Sequence, residues 1–223
     1  DIVFGDWSSD VCSSDLIVSF ESSNEPYKNK ALLPAAFLNY NDEPELGMSQ
    51  TDGADFMEYA KQTTLRQYET TTMYEQAGVV LSHPCDIDIS STSFNMQLRD
   101  IDYGLINWSA HGSPISSARK IWIEDYNNDN IPDSYEMAWS GLVNLNSFND
   151  ITAEGGSVIF AASCFNGMID HDVQSLAERA LAKKGVAVMA ATRTGWYKIG
   201  WQNPGYGGLS SYNHHFLENY AEQ

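Results

Sequence analysis

Two apolar runs in this chain each end on a side chain that can do chemistry: Leu105 to Gly112 (LINWSAHG), which stops on His111, and Val158 to Gly167 (VIFAASCFNG), which stops on Cys164. Short runs with no polar alternation read as strands covered on both faces, the signature of a parallel sheet in an α/β protein. In open parallel sheets, ligands and chemistry collect outside the carboxyl ends of the strands. Two strands that end on an imidazole and a thiol would therefore bring a base and a nucleophile to one rim. That is the layout of a cysteine hydrolase.

At 223 residues and 43% hydrophobic content, the chain can bury one sizeable core and fits a single domain with an insertion. A net charge of −18 argues against nucleic acid or anionic lipid as a partner, since both require Lys and Arg to neutralise phosphate. No apolar run approaches the roughly 18 residues of a membrane span. Cys12, Cys85 and Cys164 form no even disulfide framework. Asp6 to Leu16 (DWSSDVCSSDL) reads as the translation of a sequencing-library adapter, so residues 1–16 are expected to be a truncated start and residues 17–223 the functional domain. The chain is expected to be part of a longer multidomain protein.

Ala31 to Tyr40 is expected to be the first core strand, with Pro34 as an objection. Thr51 or Asp52 can cap a helix over 53–62, and Ser90 or Ser91 another in which Phe94, Leu98 and Ile101 face inward. Tyr68 to Tyr74 suits a strand. Asp170 to Lys184, with Val173, Leu176, Ala177, Ala180 and Leu181 on one face, reads as a crossover helix into a strand over 186–192. A loop over 196–208 and a terminal helix over 209–222 complete the order.

The turn Ser163-Cys164-Phe165-Asn166-Gly167 leaves the Cys164 sulfur at the sheet rim and its backbone N–H free to hold an oxyanion. Gly112 allows a carbonyl to approach closely enough for a second backbone donor. Such a pair works by thiolate attack, with the imidazole protonating the leaving amine. Either residue alone would more simply be a buried structural Cys or a core His; the pairing at two strand ends favours chemistry.

Asn107-Trp108-Ser109-Ala110-His111-Gly112-Ser113 and Ala162-Ser163-Cys164-Phe165-Asn166-Gly167 together resemble the gingipain-type cysteine peptidases, relatives of caspases and clostripain. Thr51-Asp52-Gly53-Ala54-Asp55, the stretch from Ala190 to Tyr197 and Gly207-Gly208 extend the likeness over about residues 31–220. The resemblance implies an α/β, caspase-like three-layer sandwich with a mostly parallel central sheet, His111 and Cys164 as catalytic dyad, and endopeptidase activity on protein or peptide substrates. It also aligns Asp55 with the acid that binds a P1 basic side chain in the arginine-cleaving members, which would give cleavage after Arg or Lys. Asp55 could equally be a helix N-terminal charge. Trp196 is a pocket wall or a packing residue, and Glu43 or Glu45 a third group that orients His111. The chain departs from the family in Ala110, where glycine is usual, and in the 53 positions from His111 to Cys164, a longer spacing than in the best-known gingipains.

That added length, about 116–150, holds a second motif. Asp125, Asn127, Asp129, Asp133 and Glu136 stand at positions 1, 3, 5, 9 and 12 of an EF-hand-like calcium loop, with the Ile131 carbonyl at position 7. Asn130 takes the place of the usual glycine, and a short helix should follow from Glu136. A solvated acidic turn is the plainer alternative. Structural Ca²⁺ and no organic cofactor are thus expected. Calcium at external concentrations, together with the family resemblance, points to a secreted or cell-surface protein. A competing reading is a catalytically silent calcium-binding surface or adhesion module on a peptidase-like scaffold. His214-His215 is expected to be exposed and without a metal role, and His83, Cys85 and His171 to be passive.

Overall fold

The computed structural model describes residues 13–44 and 49–222. Cys12, Glu45 and most of the presumed adapter segment lie outside them; Ser13–Ser22 forms helix α1. The strands are β1 (Lys30–Ala35), β2 (Phe37–Asn39), β3 (Thr51–Asp52), β4 (Glu69–Tyr74), β5 (Ile87–Asp88), β6 (Leu105–Ser109), β7 (His111–Ser113), β8 (Ser116–Trp122), β9 (Met137–Asn144), β10 (Ser157–Ala162) and β11 (Gly185–Ala190). Helices α2 (Gly53–Gln62), α3 (Ser91–Asp100), α4 (Leu176–Lys183) and α5 (Gly208–Ala221) complete the set.

Six strands form one sheet in the order β11-β10-β6-β1-β4-β5, and every pairing in it is parallel. Both faces are covered. Alternate residues of β1 point to opposite layers: Ala31, Leu33 and Ala35 pack with Phe56, Met57 and Ala60 of α2 and Leu217 of α5, whereas Leu32 packs with Phe94 and Leu98 of α3 and Leu176 and Ala180 of α4. The result is the α/β/α sandwich expected for strands with no polar face.

Pro34 is tolerated inside β1 because the ladder to β6 lapses around it. The pairs run Ala31↔Leu105, Leu32↔Ile106 and then Ala35↔Ser109, so the missing N–H falls in the gap. Local chemistry sets the helix starts. Asp52 accepts from the Ala54 N–H at 2.9 Å, and Ser90 forms a capping box with Ser93. Ile101 ends α3 as its C-cap and is 39% exposed rather than inward-facing. The crossover helix is shorter than expected. It begins at Leu176, because Ser175 caps it in a box with Glu178 and the Leu176 and Ala177 N–H groups reach the Pro114 and Asn166 carbonyls. Residues 170–174 stay irregular, with Val173 exposed.

The insertion is a second, antiparallel sheet, β7-β8-β9. Arg119 of β8 fastens it to the first sheet by donating to both carboxylate oxygens of Glu75, just past β4, at 2.8 Å with both side chains buried. Burial raises the Glu75 pKa, and Arg119 pulls it back down. The Tyr40 hydroxyl adds a bridge, donating to the Lys120 carbonyl and accepting from the Trp122 N–H.

Candidate active site

Strands β6 and β10 are neighbours with Ser109 opposite Ala162, and each reactive residue lies two positions beyond that pair. The expected continuous His111 strand is broken at Ala110, whose N–H bonds the Ala162 carbonyl at 3.3 Å. The chain then turns into β7, so His111 belongs to the small sheet. After Ala162 the backbone makes a tight turn: Ser163 N–H reaches the Ala161 carbonyl, and Phe165 takes φ of 60°, a rare state for a bulky residue. The Phe165 and Gly167 N–H groups are tied to the Arg193 and Ala191 carbonyls at 3.0 Å.

Gly112 is where the two segments touch. A Cβ there would lie 2.3 Å from the Cys164 carbonyl oxygen and 2.9 Å from the Cys164 nitrogen, so only glycine permits the contact. Asn166 locks the arrangement: its side-chain amide donates to the Ser113 and Ser116 carbonyls at 2.7 and 3.1 Å and accepts from the Ser117 hydroxyl at 2.7 Å. Trp108 Nε1 donates to that same hydroxyl.

Two cavities meet at the dyad. One, of about 30 Å³, is lined by Leu38, Ala110, Tyr197 and Leu209 among others; the second, of about 250 Å³, by Gly112, Ser113, Ser116, Ala118 and Trp139. His111 and Cys164 line both. A larger cavity of about 710 Å³ lies between α1 and the start of β11 and contains neither. Burial holds the His111 imidazole below its usual range, against a hydrogen bond to the Leu38 carbonyl. Its Nε2 is buried with no partner among the described residues. The indole of Trp139 meets the ring edge-on, at 4.8 Å and 81°. Cys85 lies elsewhere, directed at the Ile87 carbonyl at 3.2 Å, and burial pushes its thiol pKa up.

Several expected site residues fall outside this centre. Asp55 is exposed and pairs with His83 at 2.8 Å; it lines neither cavity. The buried carboxylate of that helix start is Asp52, the N-cap, raised in pKa chiefly by burial. Trp196 is 79% exposed, and the flanking Gly195 and Tyr197 form the wall instead. Glu43 accepts from the Tyr40 N–H and pairs with Lys120. Trp139 was not foreseen in the site: it faces His111 through strand pairing that no local spacing reveals. Nor was Asn166 singled out, although its place two residues after Cys164 in a tight turn was visible.

The acidic loop of the insertion joins β8 to β9, so its flanks are strands rather than the helices of an EF-hand. Only a 3₁₀ turn, Ser134–Glu136, precedes β9. Asn128 and Asn130 adopt φ of 58° and 59°. Asp125 accepts from the Asp129 and Asn130 N–H groups, Asn127 from Asp129 N–H, and Asp129 from Ile131 N–H. Asn127 also donates to Asp129 and Asp133 at 2.9 and 3.2 Å. Glu136 is fully buried and accepts from Trp122 Nε1 and the Tyr126 N–H. The Ile131 carbonyl accepts from Asp133 N–H. All these oxygens are hard donors of the kind Ca²⁺ takes, but among the described residues no three of the carboxylates Asp125, Asp129, Asp133 and Glu136 lie within 4.8 Å of one another. His214 is buried rather than exposed, and with His215 it brackets the Glu218 carboxylate at 3.2 and 2.8 Å.

No protein-family model matches the sequence, and no curated protein matches it. Solved structures do. The chain is similar to the Arg-specific cysteine proteinase gingipain R, with a TM-score of 0.59 at 14% identity over 93% of this chain and 41% of that one. It is also similar to the complex of Porphyromonas gingivalis RgpB pro- and mature domains, with a TM-score of 0.54 at 15% identity over 94% of this chain and 49% of that one. The chain thus spans less than half the length of these neighbours, and the likeness shows a gingipain-like, peptidase-like fold.

Proposed function

We propose that the protein is a cysteine endopeptidase in which Cys164 is the nucleophile and His111 the acid/base partner, on the fold shared with the gingipain structures. The observation that carries this reading is the register. Ser109 faces Ala162, and Gly112 then packs on the Cys164 backbone, so the two reactive residues line the same cavities. The buried His111 Nε2 has no partner among the described residues and is the atom that would take the thiol proton and pass it to the leaving amine. Backbone N–H groups of Gly112 and Cys164 serve as oxyanion donors. Alternation along a two-residue hairpin closed at Ser113 and Ser116 turns the Gly112 N–H away from β8.

For the segment before the scissile bond, the cavity beside Tyr197 and Leu209 offers no carboxylate among the described residues. Among the described residues, then, no carboxylate at this cavity would carry specificity for Arg or Lys, and Asp55 pairs with His83 instead. Asp125, Asn127, Asp129, the Ile131 carbonyl, Asp133 and Glu136 are the groups of the loop over 125–136 that would hold Ca²⁺, which would supply rigidity to the β8–β9 ribbon. Secretion or surface display would supply calcium at the concentrations such a loop needs.

The alternative is a catalytically silent calcium-binding module, and labelling separates the two. Iodoacetamide or a peptidyl chloromethyl ketone, followed by peptide mass mapping, should modify Cys164 far faster than Cys85, with a fluorogenic peptide panel showing turnover that Cys164→Ser abolishes. Equal labelling of both thiols and no turnover would establish the silent module.

A further inference from the structure

The two cavities that meet at the dyad share His111 and Cys164 and no other residue. A peptide lying across a thiol–imidazole pair must place the residue bearing the carbonyl on one side and the residue bearing the amine on the other. The chemistry decides which. The sulfur bonds the carbonyl carbon as the C–N bond breaks, and the imidazole delivers its proton to the departing nitrogen, so the leaving half lies on the imidazole side. His111 lines both cavities, but the ring that stands edge-on to it, at 4.8 Å, is Trp139 of the second one, a residue 60% exposed, and this contact marks that cavity as the imidazole side. Below it the cavity is lined by Gly112, Ser113, Ser116 and Ala118, side chains too small to fill it. Lys120 Nζ lies 5.7 Å from the centre of the Trp139 ring system and is paired with Glu43, so the indole already carries a cation.

We propose that Trp139 and this small-residue floor form the subsite for the first residue of the leaving fragment, and that it selects an apolar or aromatic side chain over a basic one. The inference rests on the peptidase reading and adds its substrate class on the leaving side. An exposed indole over a floor of glycine, serine and alanine offers an apolar surface with room for a ring, whereas the cation–π contact a basic side chain would seek is already made by Lys120.

The test is a partition experiment on the full chain with calcium present. A peptide ester acylates Cys164, and the thioester is then divided between water, which gives the acid, and an added amino-acid amide. The free α-amino nitrogen of that amide attacks the thioester carbonyl carbon and loses a proton as the C–S bond breaks, which restores the thiol. Phenylalaninamide and leucinamide should capture the acyl group on the order of tenfold better than glycinamide or lysinamide. Trp139→Phe should keep that ratio and Trp139→Ala flatten it, with the ratio read within each variant so that a change in overall rate does not matter. Equal capture of all amides, a preference that survives Trp139→Ala, or a Trp139→Ala effect confined to the acyl half would overturn the subsite while leaving the peptidase intact. Absence of any acylation of Cys164 would remove both.

Discussion

In the proposed peptidase, His111 would set the pH dependence of the centre. Burial holds its folded-state pKa below the ordinary 6.5, so between those two values the unfolded chain binds more protons than the native one. Stability contributed at this residue is therefore present above about 6.5 and is lost as the pH falls through the folded pKa. The same shift keeps the imidazole neutral into mild acid, and the acid limb of kcat/KM should lie below 6.5. A pH–rate profile on the best peptide of the panel checks this, and a limb at or above 6.5 would contradict it. At this scale the meeting of His111, Gly112 and Cys164 at one rim was legible, because two unalternating strands end beside them. Of the two readings open for Asp55, its place fits the helix N-terminal charge: the N-cap Asp52 is drawn in, while Asp55, in the first turn, faces outward to His83. Trp139 was missed because only a β-ladder brings it to the imidazole.

The β8–β9 ribbon is the element on which calcium should act. Glu136 directly precedes β9 and is bonded by Trp122 at the end of β8, so an ion at the loop would brace both strands. Adding Ca²⁺ at about 100 times its Kd should stabilise the protein by about 2.7 kcal/mol. Chelator should reverse this in thermal melts, and Asp125→Ala with Asp129→Ala should eliminate the difference. An unchanged midpoint in chelator would reduce the loop to a solvated turn. The oxygen spacing was legible in the chain, but the strand flanks were not, since the EF-hand pattern names the donors and leaves open what joins them. Similarly, α4 carries its apolar period upstream of its true start; Ser175 and two outside carbonyls fix where it begins, and neither carbonyl is near in sequence.

In the molecule as a whole, two sheets share one reactive centre, and the Arg119–Glu75 pair joins them. Removing one partner strands a buried charge, so Arg119→Met alone should cost about 3–5 kcal/mol, whereas Arg119→Met with Glu75→Met should come much closer to the parent. Urea melts of the single and double variants would show this; equal losses would mean the pair contributes no joining role. The parallel sheet and its two covering layers were readable from the unalternating apolar runs, because strands buried on both faces have no other way to be satisfied. The antiparallel extension was not, since its exposed residues mix polar and apolar positions with no clean period.

The root of that extension is fixed while its tip is free. At the root, Gly112 has no room for even one added carbon against Cys164; farther out, Trp139 stands in solvent. In a peptidase built this way, sequence drift along the outer ribbon would retune which bonds are cut, whereas a change at the root would silence the molecule whatever its outer surface had become.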